Sequence, residues 1–148
     1  MIFSFSISLI GLLFLLINAI LFFYSRKGKD KVYFFLMLYL MIQFVVELCC
    51  NIIGFLYPNE NFFLSHYYFI IQFILLSFFF SNVLLNPFLK KLVYINLILV
   101  LLSLGFQYAE TPSLYWKFNN YEIGVTSLLL IFYSIIYFYE NTMWKYSP

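Results

Sequence analysis

Long apolar runs separated by short polar breaks make up most of this chain. Five of them, at 2–24, 32–56, 63–86, 92–109 and 121–139, approach or exceed the length needed to cross a bilayer. That crossing takes about 20 residues at about 1.5 Å of helix rise each. The breaks have physical causes. Ser25 to Lys31 gathers charge around Gly28, Pro58-Asn59 and Asn86-Pro87 interrupt helices, and Glu110-Thr111-Pro112-Ser113 opens the longest loop. Barrel strands would alternate over segments of about ten residues, which these continuous runs do not. The pattern predicts an all-α, polytopic transmembrane helical bundle of five spans, forming a single domain over residues 1–148.

Composition narrows the picture further. Of 148 residues, 65% are hydrophobic and 9% charged, whereas a soluble domain carries roughly a quarter charged residues to cover its surface. Disorder is excluded by the same abundance of Leu, Ile and Phe, and a net charge of +2 gives nucleic-acid binding no support. Small residues are scarce, with alanine only at Ala19 and Ala109 and no Gly-x-x-x-Gly seam. The helices are therefore expected to pack through large interlocking side chains and polar contacts.

Charge sets an expected orientation. With five crossings, Arg26, Lys27, Lys29, Lys31, Lys90, Lys91 and Lys145 share one side and Lys117 alone takes the other. The positive-inside bias then puts the N-terminus outside and the C-terminus in the cytoplasm, across the plasma (inner) membrane. The basic cluster follows the first apolar run instead of preceding it, so that run reads as a retained span. Trp116, Trp144 and boundary tyrosines such as Tyr24, Tyr57, Tyr67, Tyr108, Tyr121 and Tyr139 are expected at headgroup level. The Glu110 to Asn120 segment is too short to fold alone.

Polar positions inside the spans predict which helix faces turn inward, because an unpartnered polar group in hydrocarbon is costly. Gln43, Glu47, Cys50, Asn51 and Gly54 fall within about 100° of arc, Asn96, Ser103 and Gln107 within about 40°, and Glu122, Thr126, Tyr133 and Tyr137 within about 60°. Ser4, Ser8, Gly11 and Asn18 form a similar arc on the first span. These stripes predict a compact bundle with a polar interior. Glu47 is the one acid well inside a span. Reflection about the Pro58 turn pairs Glu47 with Gln72 and Asn51 with Tyr68, giving an intramembrane polar cluster of Glu47, Asn51, Tyr68 and Gln72. Glu47 reads either as a hydrogen-bonded pin between two helices or as a proton- or cation-handling group.

His66, the single histidine, lies near the outer end of the third span. It reads either as an interfacial side chain bonded to headgroups or loop carbonyls, or as a pH-sensitive, ligand-contacting group at an outer mouth. One histidine and no paired Cys motif leave too few ligands for a metal, and the adjacent Cys49 and Cys50 are expected as free thiols. No nucleophile elbow, phosphate-binding glycine loop or carboxylate dyad is present, so neither an enzyme nor a cofactor is expected.

The run from Asn61 through His66, Tyr68 and Gln72 to Phe73 resembles a pattern in uncharacterised multi-pass bacterial membrane proteins. In those proteins Asn, Leu, His, Tyr and Glu-Phe recur at similar spacing, and seven helices are typical; here Gln72 stands at the Glu position. The resemblance implies a polytopic, sensory module and singles out Asn61, His66, Tyr68 and Gln72. Three functional expectations follow. The first is a non-enzymatic sensory or scaffold module acting through helix contacts with a membrane or signalling partner, or with further copies of itself. The second is a small oligomeric proton or cation transporter or channel using Glu47. The third is a membrane-disrupting effector. The lipid bilayer is a partner in all three.

Overall fold

A computed structural model describes the backbone of residues 2–24, 31–56 and 62–145, and their side chains except at 2–8 and 143–145. The cluster Arg26, Lys27 and Lys29, Tyr57, the Pro58-Asn59 turn and Asn61 lie outside the described residues, as do the side chains of Ser4, Ser8, Trp144 and Lys145. The described elements are α1 (Ile2–Tyr24), α2 (Lys31–Leu56), α3 (Phe62–Val83), α4 (Pro87–Glu110), a 3₁₀ turn (Pro112–Trp116) and α5 (Asn120–Lys145). Helices α2 to α5 are each long and apolar enough to cross a membrane, and the part of α1 whose side chains are described, Leu9–Tyr24, is an apolar helix as well. The chain is a helical, membrane-embedded protein.

Two helix boundaries differ from the apolar runs that predict them. Helix α4 begins at Pro87, several residues before its apolar run, because proline at the first helical position forfeits no hydrogen bond. Asn86 caps it, its side-chain oxygen accepting from Phe88 N at 2.9 Å. Helix α5 continues beyond residue 139, where Asn141 and Thr142 turn their side chains back to the carbonyls of Tyr137 and Phe138 at 3.1 and 3.0 Å. Hydropathy measures the part of a helix that meets lipid; the helix itself can extend into the polar zone.

Helix α3 is the hub. It packs against α2, α4, α5 and the 3₁₀ turn, whereas α1 packs, among the described residues, against α2. The apolar core lies among α3, α4 and α5, where Phe73, Phe80, Val93, Leu97, Val100, Leu104 and Tyr133 are buried. The apolar core of the bundle thus lies in three helices, with α2 and then α1 laid alongside. Among the described side chains α1 buries Leu12 and Ala19, and α2 buries Gln43. The stripe on α1 does not face inward: Gly11 and Asn18 are exposed, and Asn18 Nδ2 donates to the Phe14 carbonyl at 2.9 Å. An amide that bonds its own backbone does not oblige its helix to turn that face toward a neighbour. A methyl group added at Gly11, Gly105 or Gly124 would meet nothing within 4 Å, so these glycines mark no close helix crossing. The helices meet through bulky side chains, as the scarcity of small residues implies.

The end of the bundle where α3 turns into α4 is held by a carboxylate. Glu140 of α5 accepts from the amides of Leu85 at 2.8 Å and Asn86 at 3.0 Å, two donors released where α3 stops at Val83. Replacing Glu140 with alanine is expected to speed amide hydrogen exchange at Leu85 and Asn86 and to cost about 1 kcal/mol at this partly solvated site. Hydrogen exchange followed by mass spectrometry checks it, and unchanged exchange at both amides would remove the assigned role.

Candidate functional site

The opposite end of the core holds a buried polar network. It begins with Asn119, which caps α5: its Oδ1 accepts from the amides of Tyr121 at 3.2 Å and Glu122 at 3.3 Å, and its carbonyl accepts from Ile123 N at 3.2 Å. This places Glu122 in the first turn of α5, where a carboxylate is favoured by the helix dipole. Below it, Thr126 is buried on the same face and donates to the Glu122 carbonyl at 2.7 Å.

Glu122 is fully buried and His66 is 3% exposed. His66 Nδ1 lies 2.8 Å from Glu122 Oε2, and Nε2 lies 3.2 Å from the backbone oxygen of Tyr115. A carbonyl oxygen can only accept, so Nε2 carries a proton. Nδ1 can then face a carboxyl oxygen favourably only if a further proton lies between them, as imidazolium with carboxylate or as neutral imidazole with carboxylic acid. Tyr108 completes the junction. Its hydroxyl donates in a short hydrogen bond to Glu122 Oε2, lies 2.8 Å from His66 Nδ1, and accepts from Asn119 Nδ2 at 3.2 Å. The other Asn119 amide proton goes to Gln107 Oε1 at 3.1 Å.

The 3₁₀ turn covers this junction. Tyr115 and Tyr67 share a hydroxyl hydrogen bond at 2.8 Å, and Phe63 packs against the rings of Tyr115 and Trp116 with centroids at 6.2 and 6.0 Å. The bond to Tyr67, then burial, holds the Tyr115 hydroxyl above its ordinary pKa of 10.0. One histidine, one acid, one tyrosine and one asparagine therefore join α3, α4, α5 and the turn between the last two. The arrangement can hold a proton in a dry place and can tie helices. Glu122 Oε1 has no hydrogen-bond partner among the described residues. No three His, Cys, Asp or Glu side chains gather among the described residues where they could ligate a metal.

The predicted cluster is only partly assembled. Glu47 and Tyr68 line one cavity of ≈ 410 Å³ together with Cys50, Phe62, Ser65, Phe69 and Phe118. Asn51 donates to the Glu47 carbonyl of its own helix at 2.9 Å and lines a separate apolar groove between α1 and α2. Gln72 is half-buried and lines neither. Tyr68 sits beside Gln43, Glu47 and Cys50. Cys49 and Cys50 are free thiols.

His66 joins none of these residues; it makes the loop-carbonyl bond that one reading anticipates, together with a carboxyl contact that neither reading includes. Glu47, read as the one acid deep in a span, is half-buried, while Glu122 at a predicted span boundary is fully buried. Two sequence signals point to Glu122: the Asn119-x-x-Glu122 spacing of a helix cap, and its place on the stripe with Thr126 and Tyr133, both also buried. Asn119 shares the first of these signals, and Tyr108 carries none.

Removing one partner of a buried pair costs about 3–5 kcal/mol, while removing both spares the cost of a lone buried charge. His66→Leu and Glu122→Leu are each expected to lose stability on that scale, and the double variant to lose less than the two combined. Equilibrium unfolding in mixed micelles measures this, and strictly additive losses would show that the two side chains are not coupled. In comparisons with known proteins, no family model matches this chain, and neither a curated protein nor a solved structure matches it.

Proposed function

We propose that this protein is a non-enzymatic membrane module that senses or scaffolds through helix contacts, with five spans, its N-terminus outside and its C-terminus in the cytoplasm of a bacterial plasma membrane. The observation that carries this reading is Asn18. It is exposed on α1, within an apolar helix that among the described residues touches α2, and an asparagine on a lipid-facing surface gains by bonding a polar group on another helix. The division of the molecule supports the same reading. The α3–α5 core is tied at one end through His66 and Glu122 and at the other through Glu140, while α1 and α2 present Leu13, Phe14, Ile17, Leu21, Val45 and Ile52 outward. The likeness of the Asn61–Phe73 run to multi-pass bacterial proteins supports it as well.

Asn18→Leu is expected to abolish association of the protein with a second copy or a partner helix in bilayers, while Asn18→Gln retains it and both variants keep the wild-type unfolding midpoint. Single-molecule photobleaching and cysteine cross-linking along α1 in native membranes report the association. A protein that stays solitary with Asn18 intact would contradict the reading, as would turnover of a lipid or peptide substrate.

A second reading is favoured by the cavity at Glu47: a small proton or cation transporter. It predicts a pH-gradient-driven flux in proteoliposomes that Glu47→Gln abolishes, and absence of flux from folded protein would remove it.

A further inference from the structure

The cavity between α2 and α3 has the chemistry of a cation site whether or not anything moves through it. Glu47 is half-buried on its wall, and among the described residues its side chain makes no hydrogen bond or ion pair. A carboxylate at that depth is costly without a counter-charge. Among the described residues no lysine or arginine forms an ion pair with it. Lys31, on the same helix, lies about 24 Å away along the axis at about 1.5 Å per residue, and Lys117 is exposed in the loop without an ion pair.

The remaining lining indicates the kind of cation. Phe62 and Phe118, 41% and 54% exposed, stand at the rim, and Tyr68 and Phe69 lie deeper, their rings edge to face with centroids at 5.1 Å. Four aromatic rings and one carboxylate lining the same cavity suit a weakly hydrated organic cation. Its charge pairs with the acid while its alkyl groups rest on ring faces, as in cages that bind quaternary ammonium groups. A bare metal ion would lack ligands here, and a strongly hydrated one would not shed water against phenylalanine. The volume, ≈ 410 Å³, falls within the range of small-ligand pockets, about 300–1,000 Å³.

We infer that this cavity binds an alkylammonium group of the choline type, held by Glu47 and the rings of Phe62, Tyr68, Phe69 and Phe118. The site stands independently of the helix-contact reading. Such a group arrives either as a free amine or as the headgroup of a zwitterionic lipid, and Cys50 on the cavity wall reports on both.

The test uses the full chain with Cys49→Ala, in nanodiscs of phosphatidylglycerol, following alkylation of Cys50 by N-ethylmaleimide. Choline is expected to slow alkylation severalfold against an equal concentration of sodium chloride, and its neutral isostere 3,3-dimethylbutanol is expected not to. Glu47→Gln should weaken the protection about tenfold, the scale of one desolvated charge contact. Phe69→Leu, which keeps the acid and removes a ring, should weaken it less and serves if the Glu47 variant does not fold. Protection in phosphatidylcholine nanodiscs without added choline would identify the lipid headgroup as the source, and protection only on adding choline would identify a free amine. Equal protection by the neutral isostere, undiminished protection in folded Glu47→Gln, or none with choline in either lipid would overturn the assignment.

Discussion

A carboxyl group taken out of water must find donors inside the protein, and most of this architecture follows from how two of its acids meet that demand. Glu122 is fully buried at the head of α5. The desolvation of such a group costs several kcal/mol unless charge and hydrogen bonds return it. The return comes from His66 on α3 and Tyr108 on α4, so satisfying one acid requires three helices to converge. Glu140 acts at the other end of α5 by closing the α3–α4 turn through its two free amides. Between these ties, close packing of Phe73, Phe80, Leu97, Leu104 and Tyr133 completes the core.

The same logic explains the unevenness of the molecule. Helices α1 and α2 have no comparable obligation to the core. Asn18 bonds its own helix, Asn51 does likewise, and the fully covered polar side chain on α2 is Gln43 beside Tyr68. In lipid there is little hydrophobic gain from drawing such helices inward, because acyl chains solvate leucine and phenylalanine as well as another helix does. Apolar surface stays open on α1 and α2, as at Leu13 and Val45, and equally on α4 and α5, as at Leu102 and Ile131, and the α2–α3 seam is where a cavity opens.

How much of this the chain discloses depends on the kind of information involved. The helices were legible because hydropathy runs depend on local composition, and all five are found within a few residues of the runs that announce them, apart from the extended ends at Pro87 and Lys145. The inward stripe of α5 was legible for the same reason: Glu122, Thr126 and Tyr133 share one face and are buried. The junction at His66 was not, because pairing His66 with Glu122 needs knowledge that α3 and α5 are neighbours, which is a matter of tertiary packing. Reflection about Pro58 brings Glu47 and Tyr68 to one cavity whose lining does not include Asn51 or Gln72, because a loop fixes which helices are adjacent and not which side chains share a cavity. Asn18 shows the converse error, since a polar residue can be satisfied by its own backbone and then carries no information about the interior.

The central claim is that His66 and Glu122 share a proton in a dry junction joining α3 to α5. Magic-angle-spinning NMR of the protein in lipid bilayers, with ¹⁵N-histidine and ¹³C-glutamate labels, measures it directly through the dipolar coupling of His66 Nδ1 to the Glu122 carboxyl carbon. The account predicts a strong coupling, as the 2.8 Å contact of Nδ1 with Oε2 requires, together with a protonated Nε2 bonded to the Tyr115 carbonyl. An uncoupled pair, or an Nε2 without its proton, would contradict it.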